Sequence, residues 1–272
     1  MMRSLYTAAT GMIAQQTNVD TISNNLSNVN TTGFKAGRTE FKTLLYQNLQ
    51  TETTTANGEN KPVGAQVGLG TRVAATTSLY TQGSLQASEL DTDFAIEGDG
   101  FFSVRDVDGA VYYTRSGNFT WSIDGQGRTV LATNDGSPVL DTNQQEIVVP
   151  EGVTSADMMF SEYGDIGYTL ADDTYVPLNQ TIGLYQFNNP AGLEKLSSNR
   201  LRDTAASGNP MPEATTIGLR RSKVHQKFLE GSNVNVADEM VNMIIAQRAY
   251  ELNSKAITTS DSMLETANGL KR

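Results

Sequence analysis

The sequence contains no cysteine and a single histidine, His225, among its 272 residues. The absence of cysteine excludes disulfides, thiolate zinc sites and cysteine nucleophiles. One histidine removes most histidine-based metal sites and leaves any serine triad dependent on that residue alone. No nucleophile-elbow motif accompanies it. We therefore interpret His225 as a surface residue on a linker, and we expect no catalytic residue, no cofactor and no metal.

Long apolar runs are also missing. No run approaches the 18 residues of a membrane-spanning helix, so no membrane insertion is expected. The first ten residues lack the apolar core of a cleaved secretory signal. Basic residues are outnumbered, with 20 against 30 acidic residues and a net charge of -10. A nucleic-acid binder normally needs a basic surface, so we expect no nucleic-acid partner.

The excess negative charge lies in the middle of the chain. Residues 71–219 hold 20 acidic and 7 basic residues, for a net charge of -13. Residues 1–45 and 220–272 each have a net charge of +2, and residues 46–70 have -1. The acidic middle segment, taken by itself, is explained by a well-solvated domain. The asymmetry as a whole predicts segments with different roles.

The N-terminal region predicts one long helix from about Ser4 to Val29. Residues 30–33 then supply poor helix formers and a glycine suited to a C-terminal turn. Along the helix, apolar residues recur at seven-residue spacing and at an intermediate seam position. These residues are Leu5, Ala8, Met12, Val19, Ile22, Leu26 and Val29.

The C-terminal region predicts a second helix of about 33 residues that begins at Val236. Asn235 is a suitable N-cap, and the acidic side chains of Asp238 and Glu239 suit the first turn. Gly269 suits the C-terminal turn, followed by two basic residues, Lys271 and Arg272. Seven-residue spacing again marks an apolar seam. The seam consists of Val236, Met240, Met243, Ala246, Ala249, Tyr250, Ala256, Ile257, Met263 and Leu264.

The two seams also contain amide side chains, notably Asn25 and Asn253. A buried amide without a partner costs about 1–3 kcal/mol, but a paired one can fix register and partner choice. Spacing alone leaves two interpretations open. The helices form either an ordinary hairpin with amides facing water or a coiled coil used for assembly.

Between the helices, the composition predicts β-structure. Residues 46–67 are rich in Thr, Asn and Gly and predict a long loop or extended arm. Residues 71–219 alternate short apolar runs with Asp-Gly turns, which is typical of β-hairpins. Predicted strands lie at 94–97, 101–104, 110–114, 119–121, 129–131 and 146–149.

Two glycine-containing patterns receive structural interpretations. The turns at Asp106–Gly109 and Asp124–Gly127 lack the length and closing glutamate of a calcium loop, so we expect type I′ turns and no metal. Gly68-Leu69-Gly70 lacks the third glycine of a dinucleotide-binding loop, so we interpret it as a flexible joint.

The predicted fold is α+β. Long N- and C-terminal helices pair as a coiled coil, and a central all-β domain resembles a sandwich or small barrel, with an extended linker arm. We expect residues 1–32 with 233–272 to form the helical assembly domain. Residues 33–70 with 220–232 form the linker region, and residues 71–219 form the outer β domain.

Several segments resemble the bacterial flagellar rod and hook family. The N-terminal segment 22–35, Ile-Ser-Asn-Asn-Leu-Ser-Asn-Val-Asn-Thr-Thr-Gly-Phe-Lys, is similar to that family's N-terminal signature. The β region matches at 94–102 and 113–119. The C-terminal region matches at 232–236, 239–241, 247–251, 253–255 and 261–264. The start at 3–12 and the segment 41–47 are most similar to distal-rod subunits, which also carry an extra extended segment where this chain has 47–66.

The resemblance implies a structural subunit without catalytic activity. Such subunits self-assemble into a helical tube that surrounds the export channel and transmits torque from motor to hook. Implied partners are further copies of the chain, proximal-rod and hook subunits, the surrounding basal-body rings and the flagellar type III export apparatus. The implied location is the flagellar basal body, outside the cytoplasmic membrane, as a periplasmic rod.

The expected assembly interface combines both helical seams. Its members are Leu5, Met12, Val19, Ile22, Asn25, Leu26, Val29, Val236, Met240, Met243, Tyr250, Asn253, Ile257 and Leu264. Two alternatives remain open at this point. One is a hook or proximal-rod paralogue, and the other is a secreted β-domain enzyme or carbohydrate-binding module flanked by helices.

Overall fold

A computed structural model describes residues 2–50, 64–106, 108–150, 152–154, 157–169 and 174–270. The fold is α+β, with a long helix near each end of the chain and a β-rich region between them, as predicted. The chain divides into two compact units. The helical unit comprises Met1–Ser27, Gly37–Ser78 and Asn235–Arg272, and the β-rich unit comprises Asn28–Ala36 and Leu79–Val234.

The helical unit contains both long helices and two antiparallel strand pairs. The helices are α1 (Met2–Ser27) and α2 (Val236–Gly269), and the strands are β1 (Gly37–Thr43), β2 (Tyr46–Gln50), β3 (Ala65–Gly68) and β4 (Thr71–Ser78). β1 pairs with β4, and β2 pairs with β3.

The ends of the helices differ slightly from the prediction. The Asn235 N-cap is confirmed, since its side-chain oxygen accepts a hydrogen bond from the Ala237 N–H at 3.1 Å. α1 ends at Ser27, two residues before the predicted end. The helix ends at Gly269 and Leu270 is its C-cap, so the prediction that Gly269 takes the C′ position just beyond the helix was wrong. The basic pair at 271–272 lies outside the described residues.

The predicted arm at 46–67 has regular structure at both of its ends. Tyr46 lies opposite Gly68 and Gln47 opposite Val67 in the β2–β3 ladder. Of the two predicted alternatives, the loop is therefore wrong for these ends, which are extended strands, while residues 51–63 lie outside the described part. Tyr46 and Val67 are of residue types that favour extended backbone even without clear periodicity.

The β-rich unit contains many short antiparallel strands. They are β5 (Leu85–Ala87), β6 (Phe94–Glu97), β7 (Phe101–Arg105), β8 (Val111–Thr114), β9 (Phe119–Ile123), β10 (Thr129–Thr133), β11 (Met158–Phe160), β12 (Asp165–Thr169), β13 (Tyr175–Thr181), β14 (Leu184–Gln186), β15 (Glu194–Lys195), β16 (Arg200–Arg202), β17 (Met211–Pro212), β18 (Lys223–Gln226) and β19 (Phe228–Glu230). A six-stranded sheet has the order β15-β16-β8-β7-β14-β17, and a three-stranded sheet has the order β11-β12-β13. The remaining pairs are β9–β10, β6–β18 and β5–β19.

Both faces of β7 are buried, and one hydrophobic cluster lies on each side of the strand. Side chains alternate along a strand, so Phe101 faces one cluster and Phe102 and Val104 face the other. Phe102 meets Phe119 edge-on at a centroid distance of 5.2 Å. Such edge-to-face pairs stabilise a core beyond their buried area.

Two sequence-based details of the β region require correction. The predicted strand 146–149 forms only isolated bridges, through Glu146 and Val148. In the loop at Asp124–Gly127, only Gly127 has a positive φ, of 79°, whereas a type I′ turn needs two such residues. In the loop at Asp106–Gly109, Gly109 has a positive φ of 77°, and Val107 lies outside the described residues. The loop at Asp124–Gly127 is therefore a hairpin loop that ends in a left-handed glycine.

The charges of the protein separate more completely between the two structural units than between the segments defined from the sequence. The helical unit has 9 basic and 9 acidic residues, and the β-rich unit has 11 basic and 21 acidic residues. The whole net charge of -10 therefore lies in the β-rich unit. β4 falls in the helical unit because it pairs with β1, and residues 220–232 fall in the β-rich unit because they form β18 and β19.

Candidate assembly surfaces

Within the helical unit, α1 and α2 lie antiparallel and contact each other at regular intervals. The Ser4 and Ser260 hydroxyls are 3.3 Å apart, and Asn25 Nδ2 donates to Glu239 Oε2 at 3.3 Å. Between them, Gly11 faces the side chain of Asn253. Along α1, the contact positions 4, 11 and 25 rise by seven and then by fourteen residues. Along α2, their partners 260, 253 and 239 fall by seven and then by fourteen residues.

The Asn25 amide, which sequence analysis assigned to the interface, is used within the chain. Its Nδ2 donates to the Gly37 carbonyl at 2.8 Å, and its Oδ1 accepts from the Gly37 N–H at 2.8 Å. The second amide hydrogen is directed at Glu239. Asn25 is buried, and these contacts occupy both of its amide hydrogens. Its role is therefore to fix the start of β1 against α1.

Two glycines allow close approach to α1. A Cβ at Gly11 would lie 2.9 Å from Asn253 Nδ2, so the absent side chain makes room for this amide. Gly70 has a φ of 109°, and a Cβ there would overlap the Thr10 hydroxyl. The interpretation of Gly68–Gly70 as a flexible joint was wrong for Gly70, which is a packing position.

Most of the predicted interface residues are at least partly covered within the chain. Ile22 and Asn25 are buried. A larger group is partly buried, comprising Leu5, Met12, Val19, Leu26, Val29, Met243, Asn253, Ile257 and Leu264. Val236, Met240 and Tyr250 are exposed. Of the seven predicted interface residues on α2, four are thus partly covered within the chain and three are exposed.

A second set of apolar residues on α2 faces outward. Met240, Val241, Ile244, Ile245 and Leu252 are all exposed, with Ile245 61% and Leu252 69% accessible. Successive helix residues turn by about 100°, so these five fall within an arc of about 140° that is separate from the packed side. We call these five residues the outer face of α2.

Further large apolar side chains of the helical unit, outside the outer face of α2, are also exposed. They are Tyr6, Ile13, Phe41, Leu45, Tyr46 and Leu49. A soluble monomer rarely exposes so many large apolar side chains together, and such surfaces mark interaction sites. Of the five outer-face residues, sequence analysis named only Met240, because it followed a single seam. The i, i+4 spacing of 240/244 and 241/245 was the available signal.

The motif residues of the β-rich unit converge on a buried ionic cluster. Glu230 is 1% accessible and binds Lys35 Nζ at 2.7 Å through Oε1 and Arg115 Nε at 2.6 Å through Oε2. The Gly83 N–H also donates to Glu230 Oε1 at 2.9 Å. Lys35 donates further to the Thr81 carbonyl at 2.7 Å. We call Lys35, Arg115 and Glu230 the ionic triad.

The electrostatics of the triad are balanced by its two cations. Burial alone would raise the pKa of Glu230, but the charges and hydrogen bonds of Arg115 and Lys35 outweigh it and lower that pKa. Burial lowers the pKa of Lys35, opposed by its contact with Glu230. Arg115 also donates to the carbonyls of Gly98 and Gly100. The triad has the partners that a buried charge needs.

The same region joins the segments through which the chain enters and leaves the β-rich unit. Asn233 Oδ1 accepts from the Ala36 N–H at 2.8 Å, and its Nδ2 donates to the Leu79 carbonyl at 2.8 Å. The Leu79 N–H in turn donates to the Ala36 carbonyl at 2.8 Å. Gly33, with a φ of 67°, packs where a Cβ would lie 2.6 Å from the Ser116 nitrogen.

His225 lies on β18 and not on a linker, which corrects the sequence-based placement. Its Nε2 is 2.8 Å from Glu97 Oε2 on the neighbouring strand β6. The hydrogen bond to His225 lowers the pKa of Glu97. Within the described residues, no group of three or more His, Asp or Glu side chains could hold a metal ion. No described helix is long and apolar enough to cross a membrane.

Three family models match successive parts of the chain. "Flagella basal body rod protein" matches residues 5–35. "Flagellar hook protein FlgE/F/G D1 domain" matches residues 95–168. "Flagellar basal body rod FlgEFG protein C-terminal" matches residues 225–270. The first and third cover most of α1 and α2, and the second falls within the β-rich unit.

Curated relatives match over the full length. The flagellar basal-body rod protein FlgG of Borreliella burgdorferi is 47% identical over 100% of both chains. The FlgG of Bacillus subtilis is 37% identical over 100% of both chains. The flagellar hook-basal body complex protein FlhP of the same organism is 32% identical, also over 100% of both chains.

These matches define the class as structural proteins of the bacterial flagellum and not enzymes. Within that class, the chain belongs to the family of flagellar basal-body rod proteins.

Proposed function

We propose that the chain is a distal-rod subunit that polymerises into a helical tube around the export channel and transmits torque from motor to hook. The observation that carries this proposal is the outer face of α2, which exposes five large apolar side chains on a unit of zero net charge. Neutral apolar surfaces associate without long-range repulsion. Further copies of the chain are the partners that this surface fits.

Within the chain, we propose that α1 and α2 form an antiparallel coiled coil. The contacts at Ser4, Gly11 and Asn25 recur at multiples of seven residues, which is the repeat of such a structure. Small and polar residues occupy these three layers, so the layers themselves add little apolar burial to the pair. Association through the outer face would add the burial that the pair lacks.

The rod position is favoured over that of a paralogue by the comparison within one organism. Identity to the Bacillus subtilis FlgG exceeds identity to FlhP, 37% against 32%, at equal coverage. Proximal-rod and hook subunits, basal-body rings and the type III export apparatus are further proposed partners. The proposed location is the periplasmic part of the basal body.

Replacement of an outer-face residue tests polymerisation directly. Ile245→Ser removes an exposed apolar side chain, so the isolated subunit should keep its helix content. Tube formation, measured by sedimentation and negative-stain electron microscopy, should be lost or require a much higher protein concentration. The matched control is Ala256→Ser, which places serine at another exposed position of α2. Normal tubes formed by the Ile245→Ser variant would contradict the proposed interface.

A further inference from the structure

The basic residues of the β-rich unit are unevenly distributed. Four of its 11 basic residues, Arg220, Arg221, Lys223 and Lys227, lie within eight consecutive residues. The rest of the unit has 7 basic and 21 acidic residues. A local group of cations on a strongly acidic unit is favourable for binding an acidic surface.

Three of these cations line one cleft. The cleft has a volume of about 670 Å³, and Arg220, Arg221 and Lys223 share its wall with Tyr163, Glu97 and Asp99. Its charged side chains have a net charge of +1, whereas the unit as a whole carries -10. We call it the Arg220 cleft.

The hydrogen bonds and ion pairs of the charged side chains in the cleft show which of them is not already paired within the chain. Arg221 donates to the Ala214 carbonyl at 3.0 Å, and Lys223 pairs with Glu162 at 3.0 Å. Glu97 is held by His225. The Arg220 guanidinium forms no hydrogen bond or ion pair within the part of the chain that the structure describes. Arg220 is exposed, and its charge acts on nearby Glu97 without a direct pair, so its guanidinium can bind a carboxylate from outside.

An apolar anchor lies on the same loop. Ile217 is 101% accessible, three residues before Arg220. Gly218 follows it with a φ of 96° and has no heavy atom within 4 Å of a built Cβ. Arginine and large apolar side chains that become covered on association contribute most of the binding energy of protein interfaces. The loop and the cleft therefore have the composition of a docking surface.

We propose that the Arg220 cleft binds the acidic surface of the β-rich unit of a second copy of this chain. The proposal rests on polymerisation and adds a contact between neighbouring β-rich units. Because a cationic patch meets a different, acidic patch, the contact is head-to-tail. Contacts of this kind generate rings or open helical filaments, and the latter is the geometry of a rod.

Charge reversal tests the contact. Arg220→Glu breaks no internal contact, so the unfolding midpoint followed by Trp121 fluorescence should not change. The protein concentration needed for polymerisation should rise about tenfold at low salt, and the difference should shrink as salt is added. Arg202→Glu is the control for the change of charge, since Arg202 is an exposed arginine of the same unit that does not line the cleft and loses only an exposed pair with Glu194. An unchanged concentration for Arg220→Glu, or an equal rise for the control, would overturn the proposal.

Site-directed cross-linking identifies the occupant. Because the chain has no cysteine, Ile217→Cys places a single thiol on the loop that precedes the cleft, for a photoactivatable maleimide. In tubes assembled from mixed isotope-labelled and unlabelled chains, we expect cross-links between chains to acidic β-rich segments. Cross-links confined to helices of the neighbour, to the same chain, or to another class of molecule would overturn the proposal. Failure of the wild-type chain to form tubes would instead contradict polymerisation itself.

Discussion

The two units of this chain differ in where they place their apolar and charged residues. The β-rich unit packs its apolar residues into two clusters, each with aromatic pairs inside it, and carries the whole net charge of -10. The helical unit has zero net charge and leaves large apolar residues such as Ile13, Ile245 and Leu252 in contact with water. The first unit is built to be stable and solvated, and the second is built to be completed by association.

The comparison extends to how polar groups are used. In the β-rich unit, a buried carboxylate joins two buried cations through Glu230. In the helical unit, the inward positions carry small and amide residues such as Ser260 and Asn253. Charge interactions in a low-dielectric core are strong, whereas a neutral amide contributes a few hydrogen bonds. We therefore expect the two units to respond differently to the same kind of substitution.

The largest effect should come from Glu230→Ala. It leaves Lys35 and Arg115 buried without their counter-charge, which costs about 3–5 kcal/mol of unfolding free energy. The only tryptophan, Trp121, packs against the core of the β-rich unit, so its fluorescence during urea denaturation reports on that unit. Glu194→Ala, which breaks the exposed pair with Arg202, is the control and should cost about 0–1 kcal/mol. Equal losses in the two variants would remove the special role of the triad.

A smaller effect in the other unit is expected from Asn25→Leu. The substitution leaves the N–H and C=O of Gly37 without their partner, at a cost of about 2 kcal/mol. The urea midpoint measured by circular dichroism at 222 nm, which is dominated by α1 and α2, should fall. The Trp121 midpoint should not. An equal fall in both signals would show that the two units unfold as one.

Much of this comparison was accessible from the sequence. Seven-residue spacing identified both helices, and the N-cap at Asn235 followed from residue type alone, because these signals are local. The strands predicted at 94–97 and 119–121 were likewise marked by apolar runs beside turn residues. What sequence could not supply was pairing between distant segments. β4 looked like part of the β domain until its pairing with β1 was seen.

The candidate sites show the same limit. The resemblance singled out segments that contain Lys35 and Arg115, but nothing in their spacing shows that both reach Glu230, about 195 and 115 residues further on. Asn25 was expected between subunits because an amide in a seam has no unique partner in sequence. Its partner is the backbone of Gly37, which only the turn after α1 brings close.

Acid should weaken the β-rich unit through Glu230. The cations hold the folded-state pKa of Glu230 below its ordinary value, so ionised Glu230 stabilises the fold above the unfolded-state pKa. That contribution should be lost as the pH falls through the folded-state pKa. The Trp121 urea midpoint measured between neutral and acidic pH should therefore decline. In Glu230→Gln, which cannot titrate there, the decline should be shallower, and parallel profiles for the two proteins would contradict this assignment.

The smallest expected difference between the units is their response to salt. Exposed like charges repel, and salt screens this repulsion over about 10 Å at 0.1 M. The β-rich unit, with 21 acidic against 11 basic residues, should gain less than about 1 kcal/mol of stability between low and moderate sodium chloride concentrations. The helical unit has equal numbers of both charges, so its circular dichroism midpoint should shift less than the Trp121 midpoint. A larger shift of the helical signal would mean that net charge does not distinguish the two units. It would also mean that the chains already associate in solution through the exposed apolar face and that salt strengthens this association.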